Sequence, residues 1–303
     1  MLISVIIATY NRPDALVAVL NGLRRQTDRE FEILIADDGS DVKTSNAIHS
    51  MHGKLGVPIQ RIWQPDRGFR AAAIRNRAIA KAQGEYIIFL DGDCVPRPEF
   101  IARHRKLAEP GHYVFGQRAL LSEQYTDHVL KTQIDLSAKS IPSLIASRLR
   151  GRINRLLPFL NVPLGPFRKF PWYGWQRLRG CNFAAWREDL IRIDGFDGAY
   201  VGWGLEDSDL AVRLANAGVR AKDGRLSTGV LHLWHPVSDR SAMTENLRHL
   251  QKAVSTRAIK AGKGISTLVK VTTQPAAADT GASLPVAAPE TGNEDDGKEN
   301  ASG

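Results

Sequence analysis

The chain has 303 residues, 43% hydrophobic and 24% charged, enough for one large domain or two ordinary ones with a substantial core. Its net charge of +9 implies an anionic partner: nucleic acid, a membrane surface or a phosphorylated substrate. Two cysteines, Cys94 and Cys181, exclude a disulfide framework and fit a reducing compartment, and no apolar run reaches the ~18 residues of a membrane-spanning helix.

The N-terminus, MLISVIIATYNRP, has no basic leader and no small-residue cleavage site, so it reads as a first strand over 2–9. Its unbroken apolar run suits a strand buried on both faces of a parallel sheet. Pro13 suits the first turn of a helix, and Leu16, Val19, Leu20 and Leu23 follow at helical spacing. FEILIADDGS is a second strand ending at Asp37-Asp38-Gly39, and PIQRIW is a third. FRAAAIRNRAIAKAQ is an Ala-rich helix with Gly84 as its stop, and EYIIFLD is a fourth strand. This alternation predicts an open α/β sheet that binds ligands at the carboxyl ends of its strands, where Asp37, Asp38, Asp91 and Asp93 stand.

Residues 117–180 break the alternation. Within 141–160, Ile141, Leu144, Ile145, Leu149, Ile153, Leu156, Leu157 and Leu160 share one helical stripe, while Arg148, Arg150, Arg152 and Arg155 lie elsewhere. This is either a core-facing helix with a solvated basic face or a helix lying in a membrane interface, weakened at Gly151 and Pro158. The aromatics, cations and glycines of 165–180 suit a loop over a sugar or phosphate, with ordinary packing as the plain alternative. Order returns over 181–235. Beyond about 265 periodicity ends, and a Pro-, Ala-, Gly- and acid-rich composition predicts disorder. Six acidic residues and one lysine follow Thr272, so the rest of the chain is more basic than the total.

Four groups of residues carry chemistry. Asp91-Gly92-Asp93 places two anions at the end of a buried strand, where a hard divalent cation with diphosphate oxygens would neutralise them and Gly92 allows close backbone approach. Gly202-Trp203-Gly204 is a tight aromatic turn before a helix opened by Glu206-Asp207. Carboxylates there can simply complement the helix dipole, which is the reading for Asp209. His232 and His235 are either structural or part of a divalent coordination sphere. Among Arg67, Arg70, Arg75 and Arg77, Arg70 and Arg75 begin the helix at 69–83 near the strand ends and suit diphosphate recognition, and Arg77 suits a solvated face.

Together SVIIATYNRPDAL, EILIADDGS, RNRAIAKAQGEYIIFLDGDCVP and GCNFAAWREDLIRIDGFDGAYVGWGLEDSDLAVRLANAG resemble the family 2 glycosyltransferases with the GT-A fold. The last block is similar to the C-terminal half of galactosyltransferase-type enzymes. The resemblance covers about 2–116 and 179–236. It implies an open, mostly parallel twisted sheet flanked by helices. It also implies a nucleotide-sugar half (1–116) and a catalytic half (181–265); it does not cover the insert (117–180), whose composition suits acceptor or membrane contact, or the tail (266–303).

It implies roles too. Ala8, Thr9, Tyr10 and Arg12 frame the base and ribose, and Asp37 or Asp38 hydrogen-bonds one of them. Arg70 approaches the diphosphate. Asp93 ligates Mn2+ or Mg2+ with His235 and His232, while Asp91 and Gly92 lie against the ribose or metal. Trp203 and Gly204 line the sugar site. Asp207 is the base and Glu206 holds a sugar. The implied activity is inverting transfer of a hexose or N-acetylhexosamine from a UDP-sugar donor to a glycan or glycolipid acceptor, such as a lipopolysaccharide core or capsule. The expected setting is the cytoplasm, peripheral on an anionic membrane surface, with no nucleic acid as partner. A nucleotidyltransferase of sugar phosphates and a basic nucleic-acid-binding protein are the alternatives. The first would not need Gly-Trp-Gly-x-Glu-Asp, and the second would line one face with Arg and aromatics. No dinucleotide-binding or P-loop glycine pattern occurs.

Overall fold

The computed structural model describes residues 1–169, 174–237 and 239–268. The expected disorder from 269 onward, and 170–173 of the aromatic segment, lie outside the described residues. The chain runs β1 (Ile3–Thr9), α1 (Pro13–Arg24), β2 (Phe31–Asp37), α2 (Val42–Met51), β3 (Ile59–Trp63), α3 (Ala71–Lys81), β4 (Tyr86–Asp91), β5 (Cys94–Pro96), α4 (Phe100–Leu107), β6 (His112–Phe115) and β7 (Arg118–Leu120). It continues through α5 (Glu123–Thr132), α6 (Ile141–Leu149), β8 (Asn182–Trp186), α7 (Arg187–Arg192), α8 (Glu206–Asn216), β9 (Arg220–Asp223), β10 (Val230–His232) and α9 (Met243–Ser255).

Seven strands form one sheet in the order β3-β2-β1-β4-β8-β6-β9, parallel except for β8. β1 shows why its sequence is apolar throughout. Val5 and Ile7 face the cluster holding Leu16, Val19 and Leu20 of α1, while Ile6 faces the cluster holding Ile74, Ala78 and Ile79 of α3. A period of two therefore reads as an unbroken apolar run. β8 closes the outer edge of β4 antiparallel, and Phe183 stacks on Phe89 at 4.4 Å. Gly84 is not a left-handed stop for α3: a Cβ there would meet the Ser4 backbone nitrogen at 2.5 Å, so its role is close packing against β1.

Register decides the site. Ala8 pairs with Ala36 on one side and Asp91 on the other, and Thr9 pairs with Asp37, so β1, β2 and β4 end level. A second sheet, β5-β10-β7, lies beside those ends and pairs His232 with Cys94. The long helical stripe expected over 141–160 is not one helix. α6 stops before Gly151, which has φ +69°; Leu144, Ile153 and Phe159 are buried in the core and Leu156 packs partly buried against it, while Ile141, Ile145, Leu149, Leu157 and Leu160 stay exposed. The folded body extends past residue 265, because Ser266 bonds both its backbone N–H and its hydroxyl to Asp194 (2.8 and 2.7 Å). Among the described residues, no helix is long and apolar enough to cross a membrane.

Candidate active site

A cleft of about 910 Å3 opens at the level strand ends. β1 contributes Ala8 and Thr9, followed by Tyr10 and Arg12; the loop after β2 contributes Asp38; the turn after β4 contributes Asp91, Gly92 and Asp93. The far wall carries Trp203, Gly204, Glu206 and Asp207, and the small sheet adds His232 and His235. The sequence-predicted residues thus converge from segments more than 200 positions apart, with two exceptions.

Asp37 does not reach the cleft. It is fully buried and its carboxylate is taken by Arg61 of β3 (2.6 Å) and the Ser40 N–H (2.8 Å). Asp38 points the other way and accepts from Gln64 and from the Arg70 backbone N–H, both at 2.6 Å; burial raises its pKa, and those donors oppose the rise. Arg70 is the second exception, since its guanidinium turns to the Pro65 carbonyl and the cleft lining passes from Phe69 to Ala71. The cation in its place is Arg75, 5% exposed, which donates to Asp91 Oδ1 and Glu206 Oε1, both at 3.0 Å. Burial alone would lower the Arg75 pKa, but the two carboxylates more than offset it. Glu206 is raised by burial, with Asp207 adding to the shift and Arg75 opposing it. Arg75 lies one helical turn inside α3; the sequence offered it beside Arg70 for the diphosphate, but not its pairing with two carboxylates.

The Asp-Gly-Asp turn is set by close packing. Gly92 N–H bonds Ala8 O at 2.7 Å, and a Cβ on Gly92 would sit 2.9 Å from that oxygen and 3.0 Å from Thr9 Oγ1. Asp93 then faces both histidines: Oδ1 lies 3.5 Å from His232 Nε2, and Oδ2 lies 3.5 Å from His235 Nε2. His235 Nδ1 is 2.7 Å from the Pro236 carbonyl. A carbonyl only accepts, so Nδ1 carries a proton, and in the neutral ring Nε2 presents a lone pair to the carboxylate. Burial lowers His232 to about 4, with Asp93 opposing, so it is neutral near pH 7. Lone pairs facing a carboxylate need a cation between them, and this donor set fits a divalent metal ion. Asp93, Cys94 and His232 place ligand atoms within 4.8 Å of one another, but Cys94 contributes a thiol, not a thiolate. Burial and the neighbouring Cys181 hold its pKa well up, and its Sγ lies 3.7 Å from Asp93 Oδ1.

The opposite wall is a strained turn. Gly202, Gly204 and Leu205 have φ of +76°, +109° and +72°, and Leu205 is unusual as a non-glycine in that region. Asn246 of α9, nearly fully buried, donates to Gly204 O (2.9 Å), and Gly202 N–H bonds Phe69 O (2.9 Å). Asp207 opens α8 with Oδ2 on the Gly180 N–H (2.8 Å) and Oδ1 on Ser208 N–H (2.6 Å). Asp209 is no surface dipole partner: it is buried against Arg213 at 2.7 Å.

The glycosyl transferase family 2 model matches residues 4–168, more than half of the chain, and a galactosyltransferase model, described as its N-terminal domain, matches 168–236. The chain belongs to glycosyl transferase family 2. This family 2 chain is 30% identical over 241 residues to the validoxylamine A glucosyltransferase of Streptomyces hygroscopicus subsp. jinggangensis, covering 76% of this chain and 55% of that one. It is 29% identical over 237 residues to the chondroitin synthase of Escherichia coli, covering 71% and 32%. It thus spans about half or less of the length of these curated relatives. S. aureus TarS superposes with a TM-score of 0.57 at 14% identity, covering 90% of this chain and 42% of that one. The mannosyltransferase PcManGT of Pyrobaculum calidifontis, solved with GDP-Man and Mn2+, superposes with 0.52 at 20% identity, covering 86% and 65%. These likenesses show the GT-A fold expected from the sequence.

Proposed function

We propose that this chain is an inverting glycosyltransferase that moves a hexose or N-acetylhexosamine from a UDP-sugar to a hydroxyl of a bacterial surface glycan or glycolipid. The observation that carries this reading is the single cleft in which Asp91 and Asp93, His232 and His235, and Glu206 and Asp207 face one another. Tyr10 and Asp38 hold the base and ribose. Thr9 Oγ1, buried without a hydrogen-bond partner among the described residues, offers a further contact. Arg12, Arg118 and Arg179 line the cleft and face the diphosphate. Mn2+ or Mg2+ held by Asp93, His232 and His235 would supply positive charge to the leaving group, and two imidazoles favour Mn2+.

Asp207, oriented by the Gly180 and Ser208 N–H groups, takes the proton of the acceptor hydroxyl. That oxygen forms its bond to the anomeric carbon as the bond to the diphosphate breaks on the opposite face, so an α-linked donor gives a β-linked product. Glu206, tied to Arg75, holds a sugar hydroxyl and fixes the angle of the pair. Trp203 offers a ring face to the sugar. The chain works in the cytoplasm at the inner membrane face.

The test is a donor screen with UDP-Glc, UDP-Gal, UDP-GlcNAc, UDP-GalNAc and GDP-Man, with Mn2+ or EDTA, reading free nucleoside diphosphate and UDP binding. Metal-dependent turnover of one donor, lost in Asp93→Ala, is the expected result. No turnover together with no Mn2+-dependent UDP binding overturns the reading.

A further inference from the structure

Between Asp135 and Glu188 the chain carries ten Lys or Arg and no Asp or Glu. The fold leaves much of this segment exposed. α6 is capped by Ser140 and anchored by Leu144, which is buried in the main core, so its orientation is fixed. Ile141, Ile145 and Leu149 recur at i, i+4 and i+8 on a different face and are exposed, Leu149 at 83%. Arg148 sits beside that stripe, and Arg150 and Arg155 follow it; all three are exposed, and no carboxylate pairs with any of them among the described residues. Leu157 and Leu160 flank the buried pair Pro158 and Phe159 and are both more than half exposed.

Two properties narrow the occupant. Unpaired guanidinium groups without neighbouring acids select an anionic partner. Exposed aliphatic side chains gain nothing from a nucleic acid or an acidic glycan, but they gain from the boundary between headgroups and acyl chains. The surface is also stitched to the rim of the cleft. Asn154 N–H bonds Leu120 O (3.0 Å), Leu120 N–H bonds Asn154 Oδ1 (2.8 Å), and Ser122 N–H bonds Arg152 O (3.0 Å), while Leu120 and Leu121 line the cleft itself.

We infer that α6 and the loop through Leu160 dock the protein on an anionic phospholipid bilayer and hold the Leu120–Leu121 rim beside the headgroups. The docking stands on its own residues. Its use, presenting the cleft to a lipid-anchored acceptor, rests on the glycosyltransferase reading.

Flotation of the whole chain with phosphatidylcholine vesicles, with and without phosphatidylglycerol, tests this at physiological and molar salt. Binding is expected only to the anionic vesicles and is expected to weaken in molar salt. Arg148→Glu/Arg150→Glu/Arg155→Glu should weaken it by at least about a hundredfold, since each surface cation contributes roughly fivefold. Ile145→Ser/Leu149→Ser should weaken it while leaving binding to heparin intact. All these positions are exposed, so unchanged melting and unchanged donor hydrolysis are the controls for both variants. Failure of the wild type to float with anionic vesicles overturns the inference, as does flotation of the arginine variant at wild-type level. Heparin or DNA binding without flotation assigns the face to a soluble polyanion, and concentration-dependent mass without flotation assigns it to a second copy; either overturns it too. Flotation with neither donor hydrolysis nor Mn2+-dependent UDP binding leaves the docking standing and removes the transferase reading.

Discussion

Arg75 is the residue on which both acidic walls of the cleft depend. Arg75→Ala leaves Asp91 and Glu206 facing each other without a countercharge, and a stability loss of about 3 kcal/mol is expected on melting. Turnover should fall by about a hundredfold with it. Arg75→Lys keeps the charge but cannot offer separate nitrogens to two carboxylates, so it should restore most of the melting temperature and little of the turnover. Equal recovery of both would reduce Arg75 to a buried counterion. Asp207→Asn separates chemistry from binding: kcat should drop by at least ~100-fold, with Mn2+-dependent UDP affinity and melting unchanged. Near-wild-type turnover would remove the base assignment. These residues differ in how legible they were. Asp91-Gly92-Asp93 could be placed because a strand of five apolar residues ends there. The choice between Asp37 and Asp38 could not, because adjacent residues face opposite ways and the deciding partner, Arg61, lies on another strand. Arg75 was legible with Arg70 as a diphosphate cation, but its pairing with two carboxylates was not, because Asp91 and Glu206 lie on other elements, β4 and α8.

At the level of elements, the wall opposite the Asp-Gly-Asp turn is a backbone held from behind. Asn246 on α9 fixes Gly204 O, and thereby the left-handed Leu205 that aims Glu206 and Asp207. Asn246→Ala should cost about 1–3 kcal/mol and lower turnover while sparing donor binding; Glu245→Ala, one residue away and exposed, should do neither. Unchanged turnover in a destabilised Asn246→Ala enzyme would show that the turn keeps its shape alone. The four strands of 1–91 with α1 and α3 were legible because each has one period; α2 was not, since only Thr44, Ile48 and Met51 of its ten residues are buried. α6 was not, because its apolar stripe continues past Gly151 in sequence although the chain turns there. The small sheet β5-β10-β7 escaped for another reason: three-residue strands carry no period of their own, and only their pairing brings His232 beside Asp93.

For the whole molecule, acid sensitivity has a buried source away from the cleft. His104 on α4 is fully buried against Phe100, and burial pushes its pKa from 6.5 down to about 3, with Asn182 opposing. The unfolded chain therefore binds a proton below pH 6.5 that the folded chain refuses. Stability from this group is complete above 6.5 and lost progressively as pH falls toward 3, by about 1.4 kcal/mol per pH unit. In urea titrations, His104→Gln should flatten the acid limb relative to the wild type. Parallel limbs in the two proteins would place the sensitivity elsewhere.

The antiparallel strand β8 sets an order of assembly. β4 is synthesised long before the partner of its outer edge, since Tyr86 pairs with Trp186. The parallel half can collapse first, but it leaves that edge bare, along with the face of Phe89 that Phe183 later covers. The arriving segment also brings the Gly180 N–H to Asp207 and the Cys181 carbonyl to the Asp91 N–H. A half-made chain therefore has Asp91 and Asp93 without that bond, and lacks Glu206 and Asp207 altogether. Chains cut short before residue 182 should aggregate through an open edge, and the newborn protein closes that edge before the remaining acids and histidines of the cleft are added.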